Sequence, residues 1–520
     1  MLRNSIGPAL HGVRCAGLAL VSGLLLGAPA VGAEGTFTVA ALAEPPSAES
    51  IYAYNANSRT VMGNIYESLV GRDADNAFVP ELATSWEQLD DRTWRFEIRQ
   101  GVKFHDGSDL TAQGAAEALN WVWAEENGHQ IRAVGGPNMT FSAIDDDTIE
   151  VQAEEPDPLL LTRMWQGYVP SIEQITNAPD TLGTTAVGTG PYKQGEWSKG
   201  NFFKVVANPD WWGLTADDAY GKQYYAEAMF LFRPESSSRI AALQAGEVDL
   251  SERLPGELCK ANLGDECVAT PDTTTTYLRL DSTNPVLADR RIREAMSLAI
   301  DRQTIGDALL GGAQPAKMIV GPSATGYNAS LPDLEYNMER AKALIAEARA
   351  DGVPLDENTL HLKTMQGGFV GNTDVMEVLL EQFKLIGLTN VDAEVRERGP
   401  AWVDIFVGVP QPVDPDRALI AMHKHTNDPY DFAGTAFNFY GCKGNVSVSC
   451  NPRLDELREE AASLVGVERQ RELEKVAELA YADMWLIPMN HTVRFHGLSD
   501  AFTWTPPLHA GIRLTDIAPR

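Results

Sequence analysis

NIYESLVGRDADNAFVPELATSWEQLDDRTWRFEIRQGVKFHDGSD, from Asn64 to Asp109, is the stretch of sequence that decides the fold. Trp94, Phe96 and Ile98 alternate with polar and charged residues, which is the two-residue period of a half-buried strand. A second strand is expected before Asp90-Asp91, a tight turn at His105-Asp106-Gly107, and a helix over Arg59–Val70 leading into the stretch. The stretch therefore predicts strands, a turn and a helix that form part of the structural framework, and it carries no catalytic pattern.

The size and charge of the chain limit what it can be. A chain of 520 residues is too long for one hydrophobic core, so two or three domains are expected. The formal net charge is -30, and such a surface repels nucleic acid and anionic membranes. Helical and strand patterns alternate along the sequence, which predicts an α/β protein.

The N-terminus resembles an export signal. Arg3 and Arg14 precede a short apolar run, Ala16–Leu26, and small residues follow up to Ala33. This order predicts a cleavable signal peptide over residues 1–33 and a periplasmic location. The alternative, a membrane anchor, is weaker because the run is about half of the ~20 residues that a span needs. No cysteine follows the predicted cleavage site directly, so we expect no lipid anchor.

The mature chain has four cysteines in two close pairs, Cys259 with Cys267 and Cys442 with Cys450. In an exported chain these spacings favour two local disulfides. A four-cysteine zinc site is the alternative, although such sites usually have tighter pairs.

Motifs of common enzymes are absent from the sequence: it has no G-x-S-x-G, H-E-x-x-H, G-x-x-x-x-G-K-[ST] or G-x-G-x-x-G. His423 and His425 are the one suggestive pair, because in a strand they lie on one face, which suits metal or polar-ligand binding. The alternative is two surface or hydrogen-bonded histidines. Trp165, Trp197 and Trp402 could line a cleft or simply pack. We expect no catalytic residue, no cofactor and no metal.

Several segments, in this order, resemble one known family. They are NIYESLVGRD, VPELATSWEQLDDRTWRFEIRQGVKFHDGSDLTA, VGTGPYKQGEW, RIAALQAGEVDL, DRRIREAMSLAIDRQTI, NMERAKALIAEARADG and LLEQFKLIGL. Over nearly its whole mature length the chain is similar to the peptide/nickel group (family 5) of bacterial extracytoplasmic solute-binding proteins of ABC importers. The resemblance implies a monomer that delivers a small polar solute to the permease subunits of an importer.

The resemblance also implies a two-lobe clamshell of the class II periplasmic-binding-protein type with an extra inserted subdomain. Lobe I would combine residues 34–71, 187–272 and 493–520, with the subdomain at 72–186 inserted, and lobe II would span 273–492. The hinge would lie near Thr273–Tyr277 and His491–Phe495. Ligand would bind between the lobes, and Trp94, Phe96 and the turn at His105-Asp106-Gly107 would not touch it.

The expected binding residues come from the same resemblance. In dipeptide binders of the family an Asp holds the peptide amine and an Arg holds the carboxylate. The matching segment here, Met422–Pro429, has His425 in the first place, and Thr373-Asp374 stands in the second, so both anchors of a free dipeptide are lost. The residues implied for the ligand site are Thr276, Trp402, His423, His425, Asn427 and Asp428.

The ligand therefore stays open at this point. An oligopeptide held by its backbone, a sugar, an opine or a metal chelate fits the segment. A secreted metal-dependent hydrolase is the alternative from another class of protein. Within the site we expect His425 and Asp428 to be polar anchors, Trp402 an apolar wall and Thr276 a residue beside the hinge.

Overall fold

The computed structural model describes residues 35–49, 56–74, 76–124, 136–217, 221–357, 359–397, 419–509 and 511–520. The predicted signal peptide and Trp402 lie outside these residues. None of the helices in the described ranges is long and apolar enough to cross a membrane.

Two kinds of element alternate along the described chain. The strands are β1 (Thr36–Ala41), β2 (Val70–Arg72), β3 (Phe78–Pro80), β4 (Ala83–Gln88), β5 (Thr93–Ile98), β6 (Met139–Ala143), β7 (Thr148–Ala153), β8 (Tyr192–Ser198), β9 (Phe202–Ala207), β10 (Glu227–Phe232), β11 (Leu250–Leu254), β12 (Cys267–Leu280), β13 (Gln314–Pro315), β14 (Leu360–Met365), β15 (Val391–Arg396), β16 (Leu419–Thr426), β17 (Leu486–Leu498), β18 (Phe502–Thr503) and β19 (Ala518–Pro519). The helices are α1 (Ala56–Met62), α2 (Ala112–Trp123), α3 (Leu160–Gln166), α4 (Ile172–Asn177), α5 (Ser236–Gln244), α6 (Gly256–Leu263), α7 (Pro285–Ala288), α8 (Arg290–Ala299), α9 (Arg302–Leu309), α10 (Met338–Ala350), α11 (Asn372–Leu385), α12 (Phe432–Tyr440), α13 (Pro452–Glu460) and α14 (Gly466–Asp483). The predicted α/β class is confirmed.

Helix starts follow the local sequence closely. The N-cap side chains of four helices each accept a hydrogen bond from a backbone N–H two or three residues further on: Thr111, Asp289, Asp301 and Asn337. Each cap satisfies a donor that the first helical turn leaves without an intrahelical partner. These starts are therefore encoded locally.

One large sheet contains most of the strands, in the order β15-β14-β16-β12-β17-β11-β1-β10-β9-β8, with β13 paired to β17. The long antiparallel strands β12 and β17 lie in the middle and connect the two flanks. Their register shifts between Pro271 and Thr275 and again between Thr275 and Tyr277. Such irregularities bend a strand and weaken its ladder. The hinge and the domain boundaries inferred from the sequence remain predictions.

The stretch that decides the fold forms a separate four-stranded sheet, in the order β4-β5-β7-β6. Trp94, Phe96 and Ile98 are all buried in one hydrophobic cluster with α2 and α3, as the alternation predicts. Gly107 closes the expected turn with a φ of +90°, a backbone conformation that favours glycine.

The helix predicted over Arg59–Val70 is wrong beyond Met62, where α1 ends. Asn64 binds the C-terminal segment instead: its amide donates to the Ile512 carbonyl at 2.9 Å and its oxygen accepts from the Leu514 N–H at 2.8 Å. The Ile65 carbonyl accepts from the Gly190 N–H at 2.9 Å. Tertiary hydrogen bonds thus replace the helical ones, which local sequence does not reveal.

The predicted disulfides are formed. Cys259 is bonded to Cys267, with Cα atoms 5.5 Å apart, and Cys442 to Cys450, with Cα atoms 4.2 Å apart. The described residues contain no group of three or more His, Cys, Asp or Glu that could hold a metal ion. The zinc alternative for the cysteines is therefore wrong.

Candidate functional site

A polar cavity of about 380 Å³, counting the solvent at its mouth, lies where α1, α3 and the C-terminal segment meet. Its walls combine charged and aromatic side chains from segments far apart in the sequence. The lining residues that matter here are Arg59, Glu81, Trp165, Tyr168, His509 and Arg513.

Arg59 of α1 lies against two aromatic rings. Its guanidinium carbon is 4.3 Å from the centroid of Trp165 and 5.5 Å from that of Tyr168. Gly511 packs on its aliphatic stem, since a Cβ there would come within 3.1 Å of the Arg59 Cγ. Only 7% of Arg59 is exposed. The packing therefore fixes the guanidinium in one position at the cavity wall.

Tyr430 reaches the same aromatic group from the part of the chain after β16. Its ring lies 6.2 Å from the Trp165 ring in an edge-on arrangement. The Arg72 guanidinium lies between them, 4.9 Å from the Tyr430 centroid and 5.0 Å from the Trp165 centroid. Tyr430 is buried in the hydrophobic cluster of the 69–212 region. This ring is thus a contact between the C-terminal half and the predicted inserted subdomain.

The backbone at Tyr430 is strained. Its φ is +56°, a left-handed conformation that bulky residues seldom adopt. Two hydrogen bonds hold it: the Tyr430 N–H donates to the Asn427 carbonyl at 3.2 Å, and the Thr325 N–H donates to the Tyr430 carbonyl at 2.8 Å. Such strain persists where the surroundings over-determine it, often at ligand sites.

Charged groups of both signs surround the aromatic rings. Asp272 pairs with Arg494 at 3.1 Å. Asp428 faces water, yet enough protein surrounds it that burial raises the pKa of its carboxyl, and Asp272 raises it further while Arg59 and Arg494 oppose the shift. The region can therefore meet both charges of a polar solute.

His509 is buried among cations. Burial lowers the pKa of its imidazole well below the ordinary value, and four guanidinium groups lower it further: Arg59, Arg513, Arg494 and Arg72. The imidazole is therefore neutral at physiological pH. Its Nδ1 is enclosed and has no hydrogen-bond partner among the described residues.

A second crevice, of about 360 Å³, has a different character. It is mainly apolar and lies beside α14, with Met318, Phe432 and Leu486 in its walls. All three residues belong to one hydrophobic core. It therefore belongs to the packing of that core, and the polar cavity is the candidate binding site.

Comparison with protein families matches residues 77–445 to the model of the middle part of the bacterial extracellular solute-binding proteins, family 5. The chain belongs to this family. As a family 5 protein it is a solute-binding protein of the type that serves ABC importers, and family 5 proteins are extracytoplasmic.

Curated relatives of this family 5 protein are binding proteins. The oligopeptide-binding protein AppA of Bacillus subtilis (strain 168) is 26% identical over 379 residues, which are 68% of each chain. The probable di/tripeptide-binding protein 5 of Pseudomonas aeruginosa (strain UCBPP-PA14) is 23% identical over 509 residues, 91% of this chain and 93% of the relative.

Solved structures confirm the fold. HbpA2 from Haemophilus parasuis superposes with a TM-score of 0.77 at 20% identity, over 94% of this chain and 100% of that one. The unliganded open form of the periplasmic murein tripeptide-binding protein MppA gives 0.77 at 19% identity, over 94% and 98%. The predicted periplasmic-binding-protein fold is therefore confirmed.

His423 and His425 lie on one face of β16, as the strand pattern predicts, but neither lines the polar cavity. The His425 Nε2 is 2.8 Å from the Thr435 hydroxyl, and its ring lies 4.8 Å from that of Phe439. His423 lies against the turn at Gly368, where a Cβ would be 3.2 Å from the His423 Nδ1. Their ligand role in this family 5 protein remains a prediction.

The structure describes three of the other predicted binding residues. Thr276 is fully buried, and its hydroxyl exchanges hydrogen bonds with the backbone of Asn490 in β17. Asn427 is buried, and both polar atoms of its amide have no hydrogen-bond partner among the described residues. Arg59 of the cavity lowers the pKa of the Asp428 carboxyl, against the larger opposite effect of burial. These assignments, like that of Trp402, which lies outside the described residues, remain predictions.

Sequence reasoning missed most of the cavity wall. Arg59, His509 and Arg513 belong to no recognisable motif. They come together only because segments about 450 residues apart in the sequence pack against each other. Ser68 and Glu81, from the stretch interpreted as scaffold, also line the cavity.

Buried histidines predict a pH dependence of stability. Burial lowers the pKa of His105, His425 and His491 to about 4. The unfolded chain takes up these protons near pH 6.5, whereas the folded chain does not. The stabilisation from the neutral histidines is thus complete above about pH 6.5 and is lost progressively as pH falls towards 4.

Urea unfolding at pH 7, 6 and 5 checks this expectation. The transition midpoint should fall at each step, and the His425→Gln variant should show a smaller fall because one titrating group is gone. If the urea midpoint of the variant falls with pH as steeply as that of the wild type, His425 does not contribute to the pH dependence as a buried neutral histidine.

Proposed function

We propose that this protein captures a small polar solute between two lobes and presents it to the membrane subunits of an ABC importer. The irregular β12–β17 ribbon acts as the hinge between lobe II and the rest of the chain. Closure buries the solute, and the ligand's contacts with both sides stabilise the closed form. The protein is proposed to work as a monomer and to catalyse no reaction.

One observation carries this proposal: Tyr430 meets Trp165 and Arg72 beside a polar cavity. Tyr430 belongs to predicted lobe II, and the other two residues belong to predicted lobe I with its insertion. A ring of one predicted lobe that packs into the hydrophobic cluster of the other is a contact that forms when the two lobes come together. This is the arrangement expected of a clamshell binder.

A peptide-like solute is the class that the surroundings favour. Relatives are named for oligopeptides and for di- and tripeptides. The cavity region offers both guanidinium and carboxylate groups, which suit a solute that carries both charges. An opine is the second candidate, because AgaA, solved with agropinic acid, matches with a TM-score of 0.69.

Export to the periplasm completes the proposal. The sequence pattern of residues 1–33 and the two disulfides support it, since disulfides persist in oxidising compartments. The importer is expected to recognise the closed form of the protein.

Native mass spectrometry of the protein purified from the periplasm of its own host tests the proposal. We expect one small molecule per chain, released on denaturation and identifiable by its mass. A protein recovered free of solute, and not stabilised against heat by tripeptide or opine mixtures, would contradict the proposal. Tightly bound zinc with hydrolytic turnover would favour the alternative of a metal-dependent hydrolase.

A further inference from the structure

Arg59 is a buried cation that the described residues do not neutralise. Its guanidinium stacks on aromatic rings, and within the described part of the chain no carboxylate lies within 4.0 Å of it and no hydrogen bond engages it. Other buried arginines have partners for their donors: Arg163 pairs with Asp157 at 2.6 Å and Arg469 with Asp431 at 2.8 Å. The remaining examples donate to backbone carbonyls, among them Arg239, Arg293 and Arg302. A desolvated charge without a partner costs stability, so a function has to explain it.

The stacked geometry leaves the donors of Arg59 available. The cation–π contact with Trp165 occupies none of the five N–H donors of the guanidinium. A planar fork of this kind binds carboxylate or phosphate with two parallel hydrogen bonds. The close contact with Gly511 holds the stem, so the fork is positioned before any ligand arrives.

A second polar group points to the same kind of ligand. His509, which is 5% exposed, lies in the same wall, and its Nδ1 has no hydrogen-bond partner among the described residues. A neutral imidazole can donate one hydrogen bond to an anion. The carboxylates nearby are accounted for: Asp272 pairs with Arg494, and Glu81 accepts from the Ser68 N–H at 2.9 Å. Asp428 acts on Arg59 only at longer range: Arg59 lowers the pKa of the Asp428 carboxyl, but the two groups do not form an ion pair within 4.0 Å.

We propose that Arg59 binds an anionic group of the solute, a carboxylate or a phosphate, against the face of Trp165, with a further hydrogen bond from His509. This inference rests on the proposed function, since it names the chemistry of the captured solute. It moves the anionic anchor from the place at Thr373-Asp374, where dipeptide binders of the family would have it, to α1. The solute is thus an anion or zwitterion, and neutral sugars are excluded from the site.

Thermal unfolding with simple anions tests the subsite without knowledge of the solute. The probes are inorganic phosphate and acetate, each compared with chloride at equal ionic strength, on protein freed of solute by unfolding and refolding. We expect one of the two anions to raise the midpoint of the wild type by about 1–3 °C. The Arg59→Met variant should lose this increment, and Arg59→Lys, which keeps the charge without the fork, should retain part of it.

Lys199→Met is the matched control. Lys199 also stacks on a tryptophan, with its Nζ 3.0 Å from the Trp197 centroid, but it lies in the β8–β9 hairpin and does not line the cavity. The variant removes the same charge and should keep the full increment. In the wild type, the anion that raises the midpoint more, acetate or phosphate, shows whether a carboxylate or a phosphate is the preferred group. Equal increments in wild type and Arg59→Met, or none in wild type, would overturn the subsite.

Native mass spectrometry separates this inference from the proposed function. If wild type carries a solute and Arg59→Met carries the same solute at the same occupancy, the subsite is wrong and the binding function stands. If wild type carries none, the proposed function itself fails. We expect the occupancy of Arg59→Met to fall at least tenfold. Should Arg59→Met not fold, the same comparison is made with Arg59→Lys, whose occupancy is expected to fall by less.

Discussion

Replacing Glu67 by alanine is expected to lower the free energy of unfolding by about 3–5 kcal/mol, because it leaves three buried donors without an acceptor. The Glu67 carboxylate accepts from the indole N–H groups of Trp211 and Trp212 at 2.9 and 2.8 Å, and from the Thr189 hydroxyl at 2.8 Å. It is 4% exposed. Burial raises the pKa of this carboxyl, and the three hydrogen bonds oppose the shift.

Guanidinium-induced unfolding of the purified variants measures this effect. Glu67→Gln should cost less, because the amide oxygen still accepts one of the bonds. Glu87→Ala, on the exposed side of β4, removes the same group from the surface and should change stability by less than about 0.5 kcal/mol. A Glu67→Ala variant as stable as Glu87→Ala would show that the network does not hold this region together.

Replacing Tyr430 by alanine is expected to weaken binding of the co-purifying solute roughly 100-fold, or about 3 kcal/mol. The variant loses the edge-on contact with Trp165 and the stacking of Arg72. Both are interactions of predicted lobe II with the opposite side, so their loss penalises the closed form. Isothermal titration calorimetry measures the affinity.

Two further variants show whether the ring causes the effect. Tyr430→Phe keeps the ring and should keep most of the affinity. Tyr336→Ala removes a tyrosine that is 49% exposed and should bind as the wild type does. If Tyr430→Ala also binds normally, Tyr430 does not contribute to closure.

The parts of the fold that depend on neighbouring residues could be predicted from the sequence. The alternation of Trp94, Phe96 and Ile98 gave a buried strand, and Thr111 and Asp289 capped their helices. The end of α1 could not be predicted in this way. There Asn64 donates a hydrogen bond to Ile512 and accepts one from Leu514, both about 450 positions away, which no local pattern encodes.

The candidate site was likewise predictable only in part from the sequence. The segment around Asp428 was predicted from its alignment with a known binding segment, and Arg59 of the cavity lowers the pKa of the Asp428 carboxyl. Arg59 and His509 were missed because a lone arginine in a helix and a lone histidine near the C-terminus have no distinctive spacing. Their meaning depends on the rings and cations that tertiary packing places around them.

Small-angle X-ray scattering of the solute-free protein, before and after saturation with the solute that co-purifies with it, tests the central claim most directly. Capture between two lobes predicts a smaller radius of gyration and a shorter maximum dimension in the saturated protein, with a weaker change in Tyr430→Ala at the same solute concentration. Identical scattering of the free and saturated wild type would contradict closure around the solute.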